Sequence, residues 1–200
     1  MSSALLARGS PAVAGRRASR RPAVPVSAVA SADVKTITLK AQRITPEAFA
    51  PFGQLIGATE DGKVFDSEDA QLVLDRGTPR FYLMRLPARK PALTFDRITF
   101  HAQCTQCLGV LQAHPWYMAV ARPSGGVEAY PRVEDLAVFE VPHGVYVKMD
   151  CGTWHAGPFF EGVDHLDFYN LELSDTNVTD HNTHKYSAEG VRFQIVPPSA

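Results

Sequence analysis

Two hundred residues, of which 45% are hydrophobic and 20% charged, describe an ordinary globular domain with enough apolar content to bury a core. The 20 Lys and Arg nearly balance the 21 Asp and Glu, so the formal net charge is −1. No apolar run approaches the roughly 18 residues that a membrane-spanning helix requires. We therefore expect neither a membrane protein nor a membrane partner.

The first 32 residues differ in composition from the rest. They contain five arginines and many Ala and Ser, and no acidic residue occurs before Asp33. That pattern is typical of an organelle transit peptide, because a secretory signal needs a continuous apolar stretch that Ala, Gly and Arg interrupt here. The Ser, Ala and Pro content favours the chloroplast, with the mitochondrion as the alternative.

A disordered basic tail that binds nucleic acid is the competing interpretation of residues 1–32. When the five arginines are set aside, 15 basic residues remain against 21 acidic ones, a net charge near −6. Nothing in that charge favours a polyanionic partner. We expect residues 33–200 to form a single domain that has no nucleic-acid partner.

The domain begins with a predicted strand and a short helix. Residues 34–41 read as a strand. Thr45 is then a suitable N-cap, and Pro46 suits the first helical position. Gly53 is expected to end the helix. Residues 57–70 are rich in Gly, Asp, Glu and Ser, which predicts a loop.

From Arg80 onward the apolar residues mostly recur with period two, and Pro and Gly separate the segments. The predicted strands cover residues 80–86, 93–101, 105–112, 117–122, 137–141, 145–149, 154–160, 165–173 and 191–196. Short strands at this spacing, without intervening helical segments, predict an all-β sandwich or barrel.

Cys104 and Cys107 form a C-x-x-C pair inside a predicted strand. Strand residues three apart point to opposite faces, so their sulfur atoms should diverge. No second C-x-x-C supplies the other two ligands of a zinc site. We interpret both as small packing residues.

His155 lies between two turn-forming segments in residues 150–158, DCGTWHAGP. An ionisable ring at the end of a strand is a common component of a ligand site in a barrel. His101 and Gln106 lie where two predicted strands meet, and we expect them to converge on His155. A core histidine bonded to the backbone is the alternative interpretation.

Arg80 and Arg85 flank an apolar strand segment, and only one of them should face the interior, because they are five residues apart. An interior arginine needs an anion, which a substrate carboxylate supplies. A solvated charge at the rim is the alternative. Asp167 shares a strand face with His165 and is expected to orient an imidazole or to bind a substrate donor, with an ordinary acid at a loop end as the alternative.

The candidate site does not predict a metal centre. Gln106 provides an amide, and amides are poor ligands for Zn, Fe or Ni beside imidazole and carboxylate. We expect no required cofactor and leave open only weak binding of a divalent ion. His181 and His184 lie in a polar segment of turn composition and are interpreted as surface residues.

Several segments between residues 42 and 173 resemble the ureidoglycolate lyase family. Residues 44–53, ITPEAFAPFG, are similar to its N-terminal segment, where a short helix ends at YG or FG before a strand. Residues 154–159, WHAGPF, resemble its WHHPL motif with one extra residue before the proline. The other similarities are Arg80-Phe81, Arg85, Leu93-Thr94, His101, Thr105-Gln106 and Asp167-Phe168.

The resemblance implies an all-β, cupin-like jelly-roll barrel (RmlC-type) with a short N-terminal helix. It implies an enzyme of purine and allantoin degradation, commonly a homodimer, that cleaves ureidoglycolate into glyoxylate and urea. His155 and His101 would then supply acid–base catalysis, and Arg80 or Arg85 would hold the substrate carboxylate. Gln106 would bind the ureido group or the hydroxyl. Trp154 and Asp167 complete the expected substrate contacts.

The sequence departs from the family pattern around the same histidine. The second histidine of WHHPL is Ala156, the family's YHR reads MDC at residues 149–151, and another family histidine is replaced by Tyr82. We expect Asp150 to join the acid–base groups and Tyr82 to contact substrate. The alternative is a plastid small-molecule-binding or regulatory protein that kept the fold and lost the lyase reaction.

Overall fold

The computed structural model describes residues 34–199, so the predicted transit peptide lies outside the described residues. Strands dominate this range, which confirms the all-β prediction. The strands are β1 (Lys35–Lys40), β2 (Gln42–Arg43), β3 (Gly53–Ile56), β4 (Pro79–Pro87), β5 (Thr94–Phe95), β6 (Arg97–Phe100), β7 (Gln106–Val110), β8 (Trp116–Ala121), β9 (Ala137–Val141), β10 (Tyr146–Met149), β11 (Trp154–Phe159), β12 (His165–Leu173), β13 (Asn182–Lys185) and β14 (Val191–Val196).

The helices are short. They are α1 (Pro46–Phe49) and α2 (Thr176–Thr179), and single 3-10 turns occupy Val127–Ala129, Val133–Asp135 and Tyr186–Glu189. Within residues 34–199 no helix has the length and apolar character needed to cross a membrane.

The strands form three hydrogen-bonded sheets with the orders β1-β14-β5, β3-β10-β7-β12-β4 and β13-β6-β11-β8-β9-β2. Pairing is antiparallel except between β1 and β14 and between β2 and β9. Over the described residues each sheet ends in two edge strands and none closes on itself. The barrel form of the fold prediction is therefore not confirmed.

The six-stranded sheet is the middle layer, because a separate apolar core covers each of its faces. On β8, Met118 and Val120 join the core shared with the five-stranded sheet, while Ala119 and Ala121 join the core shared with the three-stranded sheet. A strand buried on both faces has a continuous apolar sequence instead of an alternating one. β8 accordingly reads WYMAVA, and all six residues are buried.

The local predictions agree with the structure in most segments. Oγ1 of Thr45 accepts a hydrogen bond from the Ala48 N–H at 3.2 Å, so it caps α1 as expected. Residues 57–70 contain no strand. The predicted strand 93–101 divides into β5 and β6, and residues 182–185, interpreted as a turn, pair with β6 as the edge strand β13. An edge strand with one exposed side lacks the apolar alternation that reveals a strand.

The three cysteines are free thiols in the structure. Cys104 is buried just before β7, and Cys107 lies half-buried on β7. Burial raises the pKa of the Cys107 thiol to about 11, which opposes formation of the reactive thiolate. This agrees with their interpretation as packing residues.

The space between the five-stranded and six-stranded sheets is apolar at one end and polar at the other. On β12, Leu166 and Phe168 extend the apolar core. Asn170 and Glu172 continue the same buried face with polar side chains. The strand register places Asn170 beside Tyr82 of β4. The candidate site lies at this polar end.

Candidate active site

A cavity of about 200 Å³ lies between the two larger sheets. Tyr82, Gln106 and Asn170 line it from the five-stranded sheet, and His101 and His155 line it from the six-stranded sheet side. A larger cleft of about 460 Å³ adjoins this cavity, and the residues lining both are Arg89, His155, Gly157 and His181. The two sheets therefore bring polar groups from distant parts of the chain to one place.

His155 reaches the cavity because side chains alternate along β11. Its neighbours Trp154 and Ala156 belong to the core on the opposite face of the sheet. Trp154 is fully buried there, and its Nε1–H donates to Oγ of Ser124 at 2.9 Å. The prediction that Trp154 contacts substrate is thus corrected, because it is a core residue on the other side of the strand.

His101 follows the end of β6 and is only 5% exposed. Its Nδ1 lies 2.7 Å from the backbone oxygen of Asp180. The Asp180 carboxylate accepts the backbone N–H groups of Ala102 and Gln103 at 2.9 and 2.7 Å. A single buried aspartate therefore fixes the turn that carries His101. The ring centroids of His101 and His155 are 5.0 Å apart.

Backbone contacts also fix which nitrogen of each ring carries the proton. A carbonyl oxygen only accepts hydrogen bonds, so Nδ1 of His101 is the donor to Asp180. Nδ1 of His155 lies 3.1 Å from the Thr153 carbonyl oxygen and is a donor for the same reason. Nε2 is therefore the second ring nitrogen of each histidine, and it is not engaged by these backbone contacts. Burial, reinforced by the neighbouring His101, lowers the pKa of His155 to about 3, so this ring is neutral near pH 7.

Behind the cavity wall lies Glu172, which is fully buried. Its Oε1 accepts the Tyr82 hydroxyl at 3.1 Å and Nδ2 of Asn177 at 3.2 Å. Its Oε2 accepts Nε2 of Gln106 at 2.8 Å. Nδ2 of Asn170 donates to the Tyr82 oxygen at 2.9 Å. Burial raises the pKa of Tyr82, so its hydroxyl keeps its proton near pH 7.

Arg89 follows β4 and provides positive charge at the cavity wall. Its guanidinium carbon lies 5.2 Å from the centroid of the Phe159 ring. The side chain as a whole is exposed, but its guanidinium is partly withdrawn from water, and this desolvation together with the nearby Arg97 lowers its pKa. Among residues 34–199, no carboxylate forms an ion pair with it. Its donors are therefore open to an anion.

Arg85 and Asp167, both predicted to bind substrate, lie on the exposed face of the ladder formed by β4 and β12. Nε and Nη2 of Arg85 donate to the Asp167 carboxylate at 2.7 and 2.9 Å, and the Arg85 side chain is 68% exposed. This pairing lowers the pKa of Asp167. The prediction is corrected, because the two residues bind each other on the face opposite the cavity.

Arg80 and Asp150 also lie outside the cavity wall. The Arg80 guanidinium carbon is 3.7 Å from the centroid of the Tyr82 ring, at the exposed end of β4. The Asp150 side chain is 49% exposed and pairs with the buried ammonium of Lys148. The Tyr82 ring under Arg80 lines the cavity, whereas Asp150 pairs with Lys148, and the roles of Arg80 in carboxylate binding and of Asp150 in acid–base catalysis stay predictions.

Five polar residues in or behind the cavity wall were not among the predicted site residues, namely Arg89, Asn170, Glu172, Asn177 and His181. The sequence could have revealed Asn170 and Glu172, because they lie at every second position after Leu166 and Phe168 and therefore on the same face of β12. A polar residue on a buried strand face often has a function. His181, interpreted as a surface residue, is exposed but lines the cavity, with its ring centroid 5.9 Å from that of His101. Burial lowers the pKa of His181 as well.

The site brings together His101, His155 and His181. Among residues 34–199, no group of three or more His, Cys, Asp or Glu side chains has an arrangement that could hold a metal ion. The groups available for chemistry at this site are imidazole rings, amides, one phenol and one guanidinium.

Comparison with known proteins identifies the family of the chain. The sequence profile described as ureidoglycolate lyase matches residues 36–191, which cover the whole cavity wall and most of the chain. No curated protein matches the sequence. The profile covers well over half of the 200 residues, and the chain belongs to the ureidoglycolate lyase family.

Proposed function

We propose that the protein cleaves ureidoglycolate into glyoxylate and urea at the cavity that holds His155 and His101. The observation that carries this proposal is the pair of adjacent imidazoles whose Nδ1 atoms donate to backbone oxygens, because this leaves Nε2 of the neutral His155 to accept a proton. The family supports a lyase reaction of this kind.

The reaction is the collapse of a hemiaminal and needs one proton to move. Nε2 of His155 takes the proton of the substrate hydroxyl, the oxygen forms the new carbonyl group, and the carbon–nitrogen bond breaks. The imidazolium then returns the proton to the departing urea nitrogen, so no net proton is consumed. His101, whose ring centroid is 5.0 Å away, is placed to share the proton. Positioned proton transfer of this type contributes roughly 10² to 10⁴ in rate.

Arg89 is the proposed partner of the substrate carboxylate, in place of Arg80 or Arg85. It lines the cavity together with His155 and has no carboxylate partner among the described residues. The arriving carboxylate also affects His155, since an anion close to an imidazole raises its pKa. Substrate binding would thereby move the base from a pKa of about 3 towards the working pH.

Several other predictions made from the sequence remain part of this proposal. We propose that the two facing, mostly antiparallel sheets are the halves of a cupin-like jelly roll, with the site between them. We retain a chloroplast enzyme of purine degradation that acts as a homodimer and requires no cofactor as our proposal. The alternative of a binding protein without activity was based on missing polar groups. Arg89, Asn170 and Glu172 supply such groups from other positions.

The decisive experiment is the variant His155→Ala, assayed for glyoxylate release from ureidoglycolate. We expect a loss of roughly 10² to 10⁴ in turnover, because the proposed base is removed. Circular dichroism and thermal unfolding should match the wild type. His165→Gln, on the exposed end of β12, is the matched control and should keep full activity. Wild-type release of glyoxylate by His155→Ala would refute the proposal.

A further inference from the structure

The carboxylate of Glu172 determines how its neighbours are oriented. Its two oxygens accept hydrogen bonds from Tyr82, Gln106 and Asn177. The Gln106 amide must therefore present its NH₂ to Glu172, which turns Oε1 away from it. The Tyr82 hydroxyl likewise donates to Glu172, so its oxygen is left to accept from Nδ2 of Asn170. That bond fixes the Asn170 amide with Oδ1 as its remaining group.

This chain of bonds leaves two acceptors without donors. Among residues 34–199, three buried side-chain atoms lack a hydrogen-bond partner: Oε1 of Gln106, Oδ1 of Asn170 and Nε1 of Trp116. The first two belong to residues of the cavity wall, whereas Trp116 lies in the apolar core. Buried acceptors without a donor are uncommon in folded proteins, and such an atom usually has a ligand, a water or a functional role.

We propose that Glu172 sets the polarity of this wall, so that Gln106 Oε1 and Asn170 Oδ1 form a subsite selective for N–H donors, occupied by the ureido group of the substrate. The inference rests on the proposed function for the identity of that group. A ureido group carries N–H donors on both nitrogens, and its two nitrogens match the two free acceptors. Arg89 then holds the carboxylate at the other end of the same molecule.

Such a subsite would select ligands by the N–H donors that they carry and not by their shape. A ligand of the same shape without N–H groups would leave both buried oxygens unpaired. Sites built around hydrogen bonds reject such analogues strongly, while shape alone discriminates weakly. Glu172 contacts no substrate in this arrangement. It is a positioning residue that acts through Gln106, Tyr82 and Asn170.

A matched pair of ligands tests the subsite without any turnover. N-carbamoylglycine carries a carboxylate and a ureido group but no hydroxyl at the reacting carbon, so the lyase cannot cleave it. Levulinate has the same skeleton with a methyl and a methylene group in place of the two nitrogens. We expect calorimetry on the wild-type protein to show at least about 100-fold tighter binding of N-carbamoylglycine.

The variant Glu172→Gln keeps the size of the side chain and replaces one of its two acceptor oxygens with an NH₂ group. Its own NH₂ can donate to Gln106, so either end of the Gln106 amide can face the cavity. We expect the preference to fall below about tenfold, through weaker binding of N-carbamoylglycine and unchanged binding of levulinate. Glu128→Gln, at an exposed position, is the control and should keep the full preference.

A second variant covers the case in which Glu172→Gln does not fold. Asn170→Leu removes one of the two acceptors and retains Glu172, and we expect it to lose about tenfold of the preference. Equal binding of both ligands by the wild type overturns the inference, as does a full preference in folded Glu172→Gln. If the wild type binds N-carbamoylglycine selectively but releases no glyoxylate, the subsite is supported and the proposed reaction is refuted. If it releases glyoxylate without selective binding, the reaction is supported and the subsite is refuted.

Discussion

The two faces of the ladder between β4 and β12 carry opposite chemistry on neighbouring residues. On the inner face, Tyr82 and Asn170 are hydrogen-bonded partners at the cavity. On the outer face, Phe81 stacks on Tyr169 with ring centroids 5.8 Å apart, and Arg85 pairs with Asp167. The comparison shows that in a strand a single step along the sequence separates a group that can meet substrate from one that meets solvent.

The largest expected difference between the faces is in stability. Phe168 is fully buried and packs edge-to-face on Trp116, with ring centroids 5.4 Å apart. Phe168→Ala should lower the free energy of unfolding by about 3–5 kcal/mol, because it leaves a cavity in the core. Tyr169→Ala, one residue along on the outer face, should cost about 1 kcal/mol or less. Chemical denaturation with guanidinium chloride measures both, and equal losses would contradict the assignment of the faces.

The next difference is in substrate binding by two arginines of the same chain segment. Arg89→Gln removes the proposed partner of the substrate carboxylate and should raise KM by about 10- to 100-fold, as expected for loss of charge-assisted hydrogen bonds. Arg85→Gln removes an exposed ion pair on the outer face and should leave KM within about twofold. Steady-state glyoxylate release measures both constants. A large rise in KM for Arg85→Gln alone would contradict the role of Arg89 and would support Arg85, as predicted from the sequence, as the partner of the substrate carboxylate.

The same two faces show which features of the fold and the site could be predicted from the sequence. Period-two alternation predicted most of the strands and the all-β class, because it depends only on which side chains are buried. The positions of His155, His101 and Gln106 were also accessible, since each is a polar residue at the end of an apolar strand. The sequence could not predict whether an individual side chain faces inward, because this depends on the register of the partner strands and on which sheet covers each face.

Arg85 and Asp167 illustrate this limit. Both are charged residues on strands and match the family's motifs, but their register places them opposite each other on the outer face. Trp154 shows the complementary case, because the middle sheet is buried on both sides and the outward neighbour of a site residue is a core residue. Arg89 lies beyond the end of β4, where the alternation no longer predicts direction. Its position follows from the tertiary structure alone.

Per pH unit, the smallest expected effect is in the pH dependence of stability. The pKa of His155 is about 3 in the folded protein and roughly 6.5 in an unfolded chain. Between these values the unfolded chain binds a proton that the folded protein does not, so the free energy of unfolding should fall as the pH drops from about 6.5 towards 3. The contribution of this residue is at most about 1.4 kcal/mol per pH unit, and it vanishes above pH 6.5 or so.

His155→Gln should remove this part of the slope, which is measured as the difference between variant and wild type in guanidinium chloride titrations over a series of pH values. Guanidinium chloride is preferred to urea, because urea is the proposed product and would occupy the cavity. His165→Gln, at the exposed end of β12, serves as the control and should retain the slope. If His155→Gln unfolds with the slope of the wild type, the imidazole is as accessible to protons in the folded protein as in the unfolded chain. That result would show that the His155 side chain is as open to solvent as the residues of the outer face.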